Sequence, residues 1–395
     1  MARGEVPARL RPRRSVPAAV RVAAARVAAV RAAAVLLILA LAAGAALGAA
    51  GCRPQLAIGD PGPGGDPGQG GNPGAGSGGG APPEPPPPPT TACQLCGLEV
   101  VEETVLHRPL AVVIDNHPMA RPQSSLNDAC LVYEILAEGG ITRMVAFYLH
   151  GEASAVGPVR SLRHYMLDLV MPLGAVVTHV GGSPQALDDV VRLRPDARNI
   201  DAMNYGGAFW YMTGRRSPHS TYTSTSLLRA ASRDKGYEGP RLTAPTPKAF
   251  DFAADAESAS LPAGQSVMRF TLTYAAPGRY SVTYDYDPPT GQWLRYIAGA
   301  AHIDASTGRQ LRATTVIVQF VPSEVIAGDT EGRLEVHLTG SGEAKVFALG
   351  RQVDARWSKA GRTAPIVYTD KQGNPLTLPP GPVWVLIVPP GSRID

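Results

Sequence analysis

The chain has 395 residues, a formal net charge of +4, 44% apolar and 18% charged residues, and four cysteines. Its basic excess sits at one end: residues 1–51 hold eight arginines against one glutamate, and removing that +7 from +4 leaves −3 for the remainder. The working part of the protein therefore lacks the basic footprint that nucleic acid requires, which excludes DNA or RNA binding as its main function.

After Arg31 comes the uncharged run AAAVLLILALAAGAALGAAG, ending at Cys52. A basic n-region, an apolar h-region and small residues before the cysteine make a secretory signal. Ala49-Ala50-Gly51-Cys52 resembles the bacterial lipobox, in which Cys52 would be acylated and become the mature N-terminus. Ala49 stands where that motif usually has leucine. The competing reading is an uncleaved signal anchor, since about 20 apolar residues can span a bilayer. Either reading puts the rest of the chain on the extracytoplasmic face of the cell membrane, held by lipid or by a span.

Residues 53–92 contain twelve glycines and twelve prolines. So little apolar side chain cannot offset the entropy of ordering the backbone, and a disordered tether is expected. The folded part then runs from about Cys93 to Asp395, long enough for two cores. Residues 107–235 mix apolar strands with helical patterns, whereas 265–390 are short alternating strands. Turn-forming residues at 236–263 mark the change. The expected organisation is a signal at 1–52, a tether at 53–92, an α/β-like domain with a mixed sheet at 93–245 and a smaller β-rich domain at 246–395. The fold class is α+β.

Cys93-Gln94-Leu95-Cys96 has redox or half-zinc-site spacing. A structural zinc site takes four ligands, no second such pair exists, and His107 and His117 are too scattered to complete it. A local disulfide or two free thiols is the expectation, with no metal and no cofactor. Cys130, inside an apolar run, reads as a small buried hydrophobe.

Pro109 to Asn116 reads as a buried strand ending in the polar pair Asp115-Asn116, followed by a loop from His117 to Pro122. Ala129–Glu138 and Ile141–Leu149 read as strands joined by a two-residue Gly139-Gly140 turn. That register puts Glu134, Glu138 and Arg143 on one face. Val159 to Pro172 reads as a helix with Arg160, Arg163 and His164 on one side, suited to phosphate or carboxylate or else paired with Glu134, Glu138 or Asp168. A strand at 175–180 carries His179 toward Gly181-Gly182. Ser183 and Pro184 then cap a helix, and the glycine turn leaves amides open to an anion. Arg215 to Tyr222, with Arg216 and His219, is a polar loop before a helix at 226–234. The Gly181-Gly182 turn is neither GxGxxG nor a P-loop, and no GxSxG elbow or HExxH pattern occurs.

The stretches RPLAVVIDNHPMARPQSSLNDACLVYEILAEGGITRMVAFYL, GPVRSLRHYMLDL, HVGGSPQAL, RRSPHSTYTST and, later, GSGEAKVFALGRQVDARWSK and DKQGNPLTLPPGPVWVLIVP are similar to the YerB-like lipoproteins. The resemblance covers nearly all of the chain from residue 93. It implies two domains of unknown function, the first α/β-like and the second β-rich, on a membrane lipoprotein. Where that family usually has Asn-Pro-Leu-Thr, this chain has Cys93-Gln-Leu-Cys96, which points to a local role for the cysteines.

In the second half, seven segments between Val267 and Val388 read as strands. Tyr284, Tyr286, Trp293, Tyr296 and Trp357 could stack on sugars, although strand aromatics are more often core. The leading expectation is a lipoprotein, anchored to the membrane through Cys52, that binds an anionic ligand or envelope polymer. The binding residues would be drawn from Asp115, Asn116, Arg143, Arg160, Arg163, His179, Arg216 and His219. A hydrolase or transferase acting on envelope polymers is the alternative, with Glu134 or Glu138 as acid/base and Arg160, Arg163 and His164 on the substrate. A scaffold that docks a protein partner through its β-domain is the third reading.

Overall fold

A strand is built wherever the chain alternates or runs apolar, and the longest of these runs share one sheet. The structure, a computed structural model, describes residues 87–238, 246–275 and 280–395. The expected signal, Cys52 and most of the tether lie outside these residues. Thr90–Ala92, counted with the tether, instead pair antiparallel with Glu99–Val101.

The first half contributes β1 (Leu110–Asp115), β2 (Leu131–Leu136), β3 (Thr142–Tyr148), β4 (Val176–His179) and β5 (Arg198–Asp201). The second half contributes β6 (Gln265–Ser266), β7 (Arg269–Thr273), β8 (Ser281–Asp287), β9 (Gln292–Ile297) and β10 (Thr315–Phe320). It continues with β11 (Gly340–Ala348), β12 (Arg351–Lys359), β13 (Val367–Thr369), β14 (Val383–Val388) and β15 (Arg393–Ile394). The main sheet runs β6-β12-β11-β10-β14-β2-β3-β1-β4-β5, with β13 on β12. Its middle is parallel where β14 lies between β10 and β2, and the β1-β4-β5 side is parallel again. The remaining neighbours, the hairpins β2-β3 and β11-β12 among them, pair antiparallel. The change of texture near 236–263 thus divides the sequence but not the sheet, because β14 of the second half is hydrogen-bonded to β2 of the first. The described residues, from 87 onward, belong to one compact unit.

Because a strand sends alternate side chains to opposite faces, the fully buried strands serve two cores. Val113, Tyr133, Ile135, Val145, Phe147, Val385 and Ile387 face one of them. Over it lie the turns around Tyr165 and Leu169 and the helix α1 (Pro184–Arg192), through Ala186 and Val190. Val112, Ile114, Val132, Met144, Ala146, Trp384 and Leu386 face the other core. There the helix α2 (Thr225–Asp234) packs through Leu228 and Ala231, and the small sheet β9-β8-β7-β15 packs through Phe270, Leu272, Tyr284 and Trp293. Tyr284, Trp293 and Trp357 are buried core residues, not an exposed stacking platform. Both helices begin as their caps dictate: Ser183 accepts from Ala186 N and Ser224 from Leu227 N, each at 3.2 Å.

Two local expectations change. The hairpin loop has three residues, Glu138–Gly140, closed by Ala137 N donating to Ile141 O, with both glycines at positive φ. Arg143 therefore lies opposite Ile135, not Leu136. A one-residue slip moves a side chain to the other face, so Glu134 and Arg143 point to opposite sides of the sheet. The expected helix from Val159 is also shorter. Residues 159–163 are extended, with Val159 bridging Ile114 and Leu162 bridging Gly182, and short helical turns begin only at His164.

Candidate functional site

The carboxyl end of β1 is where the polar side chains converge, the end at which open α/β sheets usually hold their ligands. Backbone pairing fixes the neighbours. Asp115 N donates to Pro158 O, Arg160 N to Val113 O, and Val159 N to Thr221 O. The extended segment 158–160 is thus laid between β1 and the loop after Arg216, bringing Arg160 and His219 to Asp115. His219 Nδ1 lies 2.6 Å from Asp115 Oδ2, and the other carboxylate oxygen accepts from His117 N at 2.9 Å. The His117 ring stacks on that of His219 with centroids 4.8 Å apart. Arg160 Nε is 2.9 Å from Asp115 Oδ2, an ion-pair contact whose N–H is not aligned for a hydrogen bond. Asp115 and His219 are buried, while the Arg160 side chain is 26% exposed. Among the described residues, none accepts a hydrogen bond from the Nη groups of Arg160.

Arg143 sits opposite Asp115 across the β1-β3 ladder and continues the cluster. Its Nη2 donates to Glu138 Oε1 at 2.9 Å and its Nη1 to Ser161 O. Arg163 grips the same carboxylate through Nε at 2.9 Å and through Nη2, and gives Nη1 to Leu162 O. Burial alone would raise the Glu138 carboxyl, but Arg163 and Arg143 hold it down at about 2. Glu138 is therefore an anchored anion rather than a proton donor at neutral pH. Three arginines meet two carboxylates here, a surplus of one positive charge, and Arg160 is the member with donors to spare.

The other expected residues are elsewhere. Glu134 lies on the opposite face, fully buried, with Oε2 2.7 Å from Arg295 Nη2. Its Oε1 accepts from Thr142 at 2.8 Å and from Asn116 at 3.1 Å. Asn116, next to Asp115, belongs to this sealed network, with Gln123, Arg121 and Tyr280 as further partners. His164 is not beside the arginines; its Nε2 is 2.8 Å from Glu335 Oε2. Asp168 pairs with Arg362. His179 is fully buried: Nδ1–H donates to Gly181 O at 2.8 Å, and Nε2 accepts from Asn199 at 3.2 Å. Burial pushes its pKa down, which favours the neutral ring, and both ring nitrogens are engaged in holding the turn. The glycine turn offers fewer open amides than expected, since Gly181 N donates to Asp201 and Ser183 N to Leu162 O. Arg216 is exposed, in the loop that leads into His219.

His117 escaped the sequence reading as a site residue because its partner, His219, lies a hundred residues on. Its only local signal was its place just after a polar strand end. At the far end of the same strands, Cys93, Cys96, Cys130 and His150 make a second cluster, the one group among the described residues with metal-ligating composition.

Two family models match this chain. The N-terminal domain of a protein of unknown function (DUF3048) matches residues 95–238, and its C-terminal domain matches residues 270–385. The chain is 32% identical over 298 residues to the "Putative lipoprotein YerB" of Bacillus subtilis (strain 168), covering 75% of this chain and 85% of that one. The crystal structure of the YerB protein from Bacillus subtilis superposes with a TM-score of 0.68 at 28% identity, over 77% of this chain and 99% of that one. The chain belongs to the DUF3048 family of two-domain proteins, alongside YerB of Bacillus subtilis.

Proposed function

We propose that this is an envelope lipoprotein, anchored through Cys52 on the extracytoplasmic face, whose first domain recognises an anionic group at the carboxyl end of β1. The relative's name supports the anchoring, as does the signal ending at Cys52. The observation that carries the recognition is Arg160. Its Nε faces Asp115, its side chain is partly exposed, and its Nη groups find no acceptor among the described residues. Phosphate or carboxylate, offering two oxygens to a guanidinium fork, fits such a donor pair. His117 and His219 flank the same edge, and exposed Arg216 lies three residues before His219, its carbonyl accepting from His219 N.

The experiment is a calorimetric titration of the full chain with a polyglycerol phosphate and, separately, with a polycarboxylate. Arg160→Ala should weaken the preferred polymer by about 10-fold or more, the ~1.5–3 kcal/mol of a hydrogen bond to a charged group. Equal binding by the wild type and the variant refutes the reading.

A second reading rests on the Asp115–His219 contact. A buried carboxylate holding a histidine by Nδ1 leaves Nε2 as a base, the arrangement used in hydrolytic sites. Glu134, sealed against Arg295, and Glu138, clamped by two arginines, are poorly suited to that role. Catalysis would therefore run through His219, and hydrolysis of an anionic polymer lost in His219→Ala but kept in Glu138→Gln would favour it.

A further inference from the structure

β2 and β3 end, away from the arginines, at a group of sulfur and imidazole side chains. Cys130 directly precedes β2 and His150 follows β3. The ladder sets Leu131 opposite Phe147, so these two residues leave neighbouring strand ends together. Against that edge docks the hairpin Thr90–Ala92/Glu99–Val101, whose tip is Cys93-Gln94-Leu95-Cys96-Gly97. The tip is tightly tied: Gly97 N donates to Cys93 O at 2.7 Å and Cys93 N to Leu98 O at 2.8 Å. Gly381 N and Ala249 N hold it to the body of the protein through the carbonyls of Cys96 and Gln94. Gly97 has φ +70°, and a Cβ there would fall 2.5 Å from Phe252 Cγ, so the turn needs glycine.

The three Sγ atoms and one imidazole nitrogen all lie within 4.8 Å of one another, and Cys96 Sγ is 3.3 Å from His150 Nε2. The three cysteines are buried and unbridged. Apolar packing does not account for three thiols and an imidazole drawn to one point from three distant stretches of chain.

We propose that Cys93, Cys96, Cys130 and His150 form a structural zinc site. Three sulfurs and one nitrogen make a complete tetrahedral set for a closed site. Zn–S bonds of ~2.3 Å and Zn–N bonds of ~2.0–2.1 Å set ligand atoms ~3.5–3.8 Å apart in a tetrahedron. The observed spacing therefore needs an inward shift of about 1 Å at most. Thiolate ligands select against calcium and magnesium, which take oxygen. Half-buried His150 also lines a cavity of about 490 Å³ with His107, Glu103 and Glu152, which gives an ion a path from solvent. The consequence is mechanical. The metal fastens the first hairpin of the folded part to the end of the main sheet, close to where the chain would leave its tether. The CxxC spacing supplied two ligands in the sequence; the fold brings the other two.

The test is titration of the full chain, purified in detergent under reducing conditions and stripped by chelator, with Co²⁺. One equivalent should bind with thiolate charge-transfer and intense tetrahedral d–d absorption, and Zn²⁺ should displace it. Cys130→Ser and His150→Ala should each weaken Co²⁺ by more than the roughly 10–100-fold that loss of an outer partner costs. Because Cys130→Ser could misfold, thiol alkylation of the wild type provides an independent readout. Zinc should protect all three thiols, and chelation should expose them and open the hairpin to protease. A Cys93–Cys96 disulfide that, once reduced, still leaves the chain unable to bind Co²⁺ would overturn the proposal. So would a Co²⁺ spectrum unchanged in His150→Ala.

Discussion

Asp115 and Asn116 are neighbours on one strand, yet they lead to two opposite uses of the same residue types. Asp115 turns to the face where Arg160, Arg143 and Arg163 crowd two carboxylates and one guanidinium keeps an open side. Asn116 turns to the face where Glu134 and Arg295, both fully buried, are surrounded by Thr142, Tyr280, Tyr284 and Gln123. Burial decides what each can do. A sealed pair whose donors and acceptors are largely taken ties together the first and second halves of the sequence, and the Arg295 charge is held firmly by Glu134 in spite of burial. A rim cluster with surplus donors can instead answer to something outside.

The sealed pair should show the largest effect. Arg295→Met strands the Glu134 carboxylate in the interior and should cost about 3–5 kcal/mol in chemical denaturation. Adding Glu134→Leu should recover part of that loss; a double variant no more stable than the single one would show that the ion pair is not the source.

Glu138 should come next. Its carboxyl is held near 2, against 4.5 for an ordinary glutamate. A depressed folded pKa stabilises the protein above the unfolded value, and that contribution disappears as pH falls from about 4.5 toward 2. Glu138→Gln should therefore lose about 2 kcal/mol at pH 7 and show a flatter melting curve against pH across that window. Parallel acid profiles for variant and wild type would contradict the clamp. Smaller still is the expected cost of Arg160→Ala: within about 1 kcal/mol, as for other partly exposed ion pairs.

Much of this arrangement was legible from local pattern. The apolar run ending at Asp115, the Ser183-Pro184 helix start and the arginines around 160 all announce themselves within a few residues. What local pattern could not supply were partners distant in the chain. His219 is 104 residues from Asp115, and Glu335 is 171 from His164. Arg295, the counter-ion of Glu134, comes from the second half of the sequence, 161 residues further along the chain. The hairpin register failed for a physical reason: three loop residues and two were equally compatible with Gly139-Gly140, and side-chain alternation turns that small ambiguity into a change of face. Arg163 meets Glu138 at the hairpin end and Arg160 meets Asp115 on β1, each from extended chain rather than from one side of a helix.

The separation of roles among the arginines is open to one direct comparison, the melting temperature of the full chain in rising inorganic phosphate at constant ionic strength. Ligand bound only to the folded state stabilises it by RT ln(1 + [L]/Kd), so that temperature keeps rising with ligand concentration. Wild type and Arg163→Ala should both rise with phosphate, the latter from a lower start, whereas Arg160→Ala should begin near wild type and stay flat. A phosphate response that survives Arg160→Ala and vanishes in Arg163→Ala would contradict the assignment of Arg160 as the open cation.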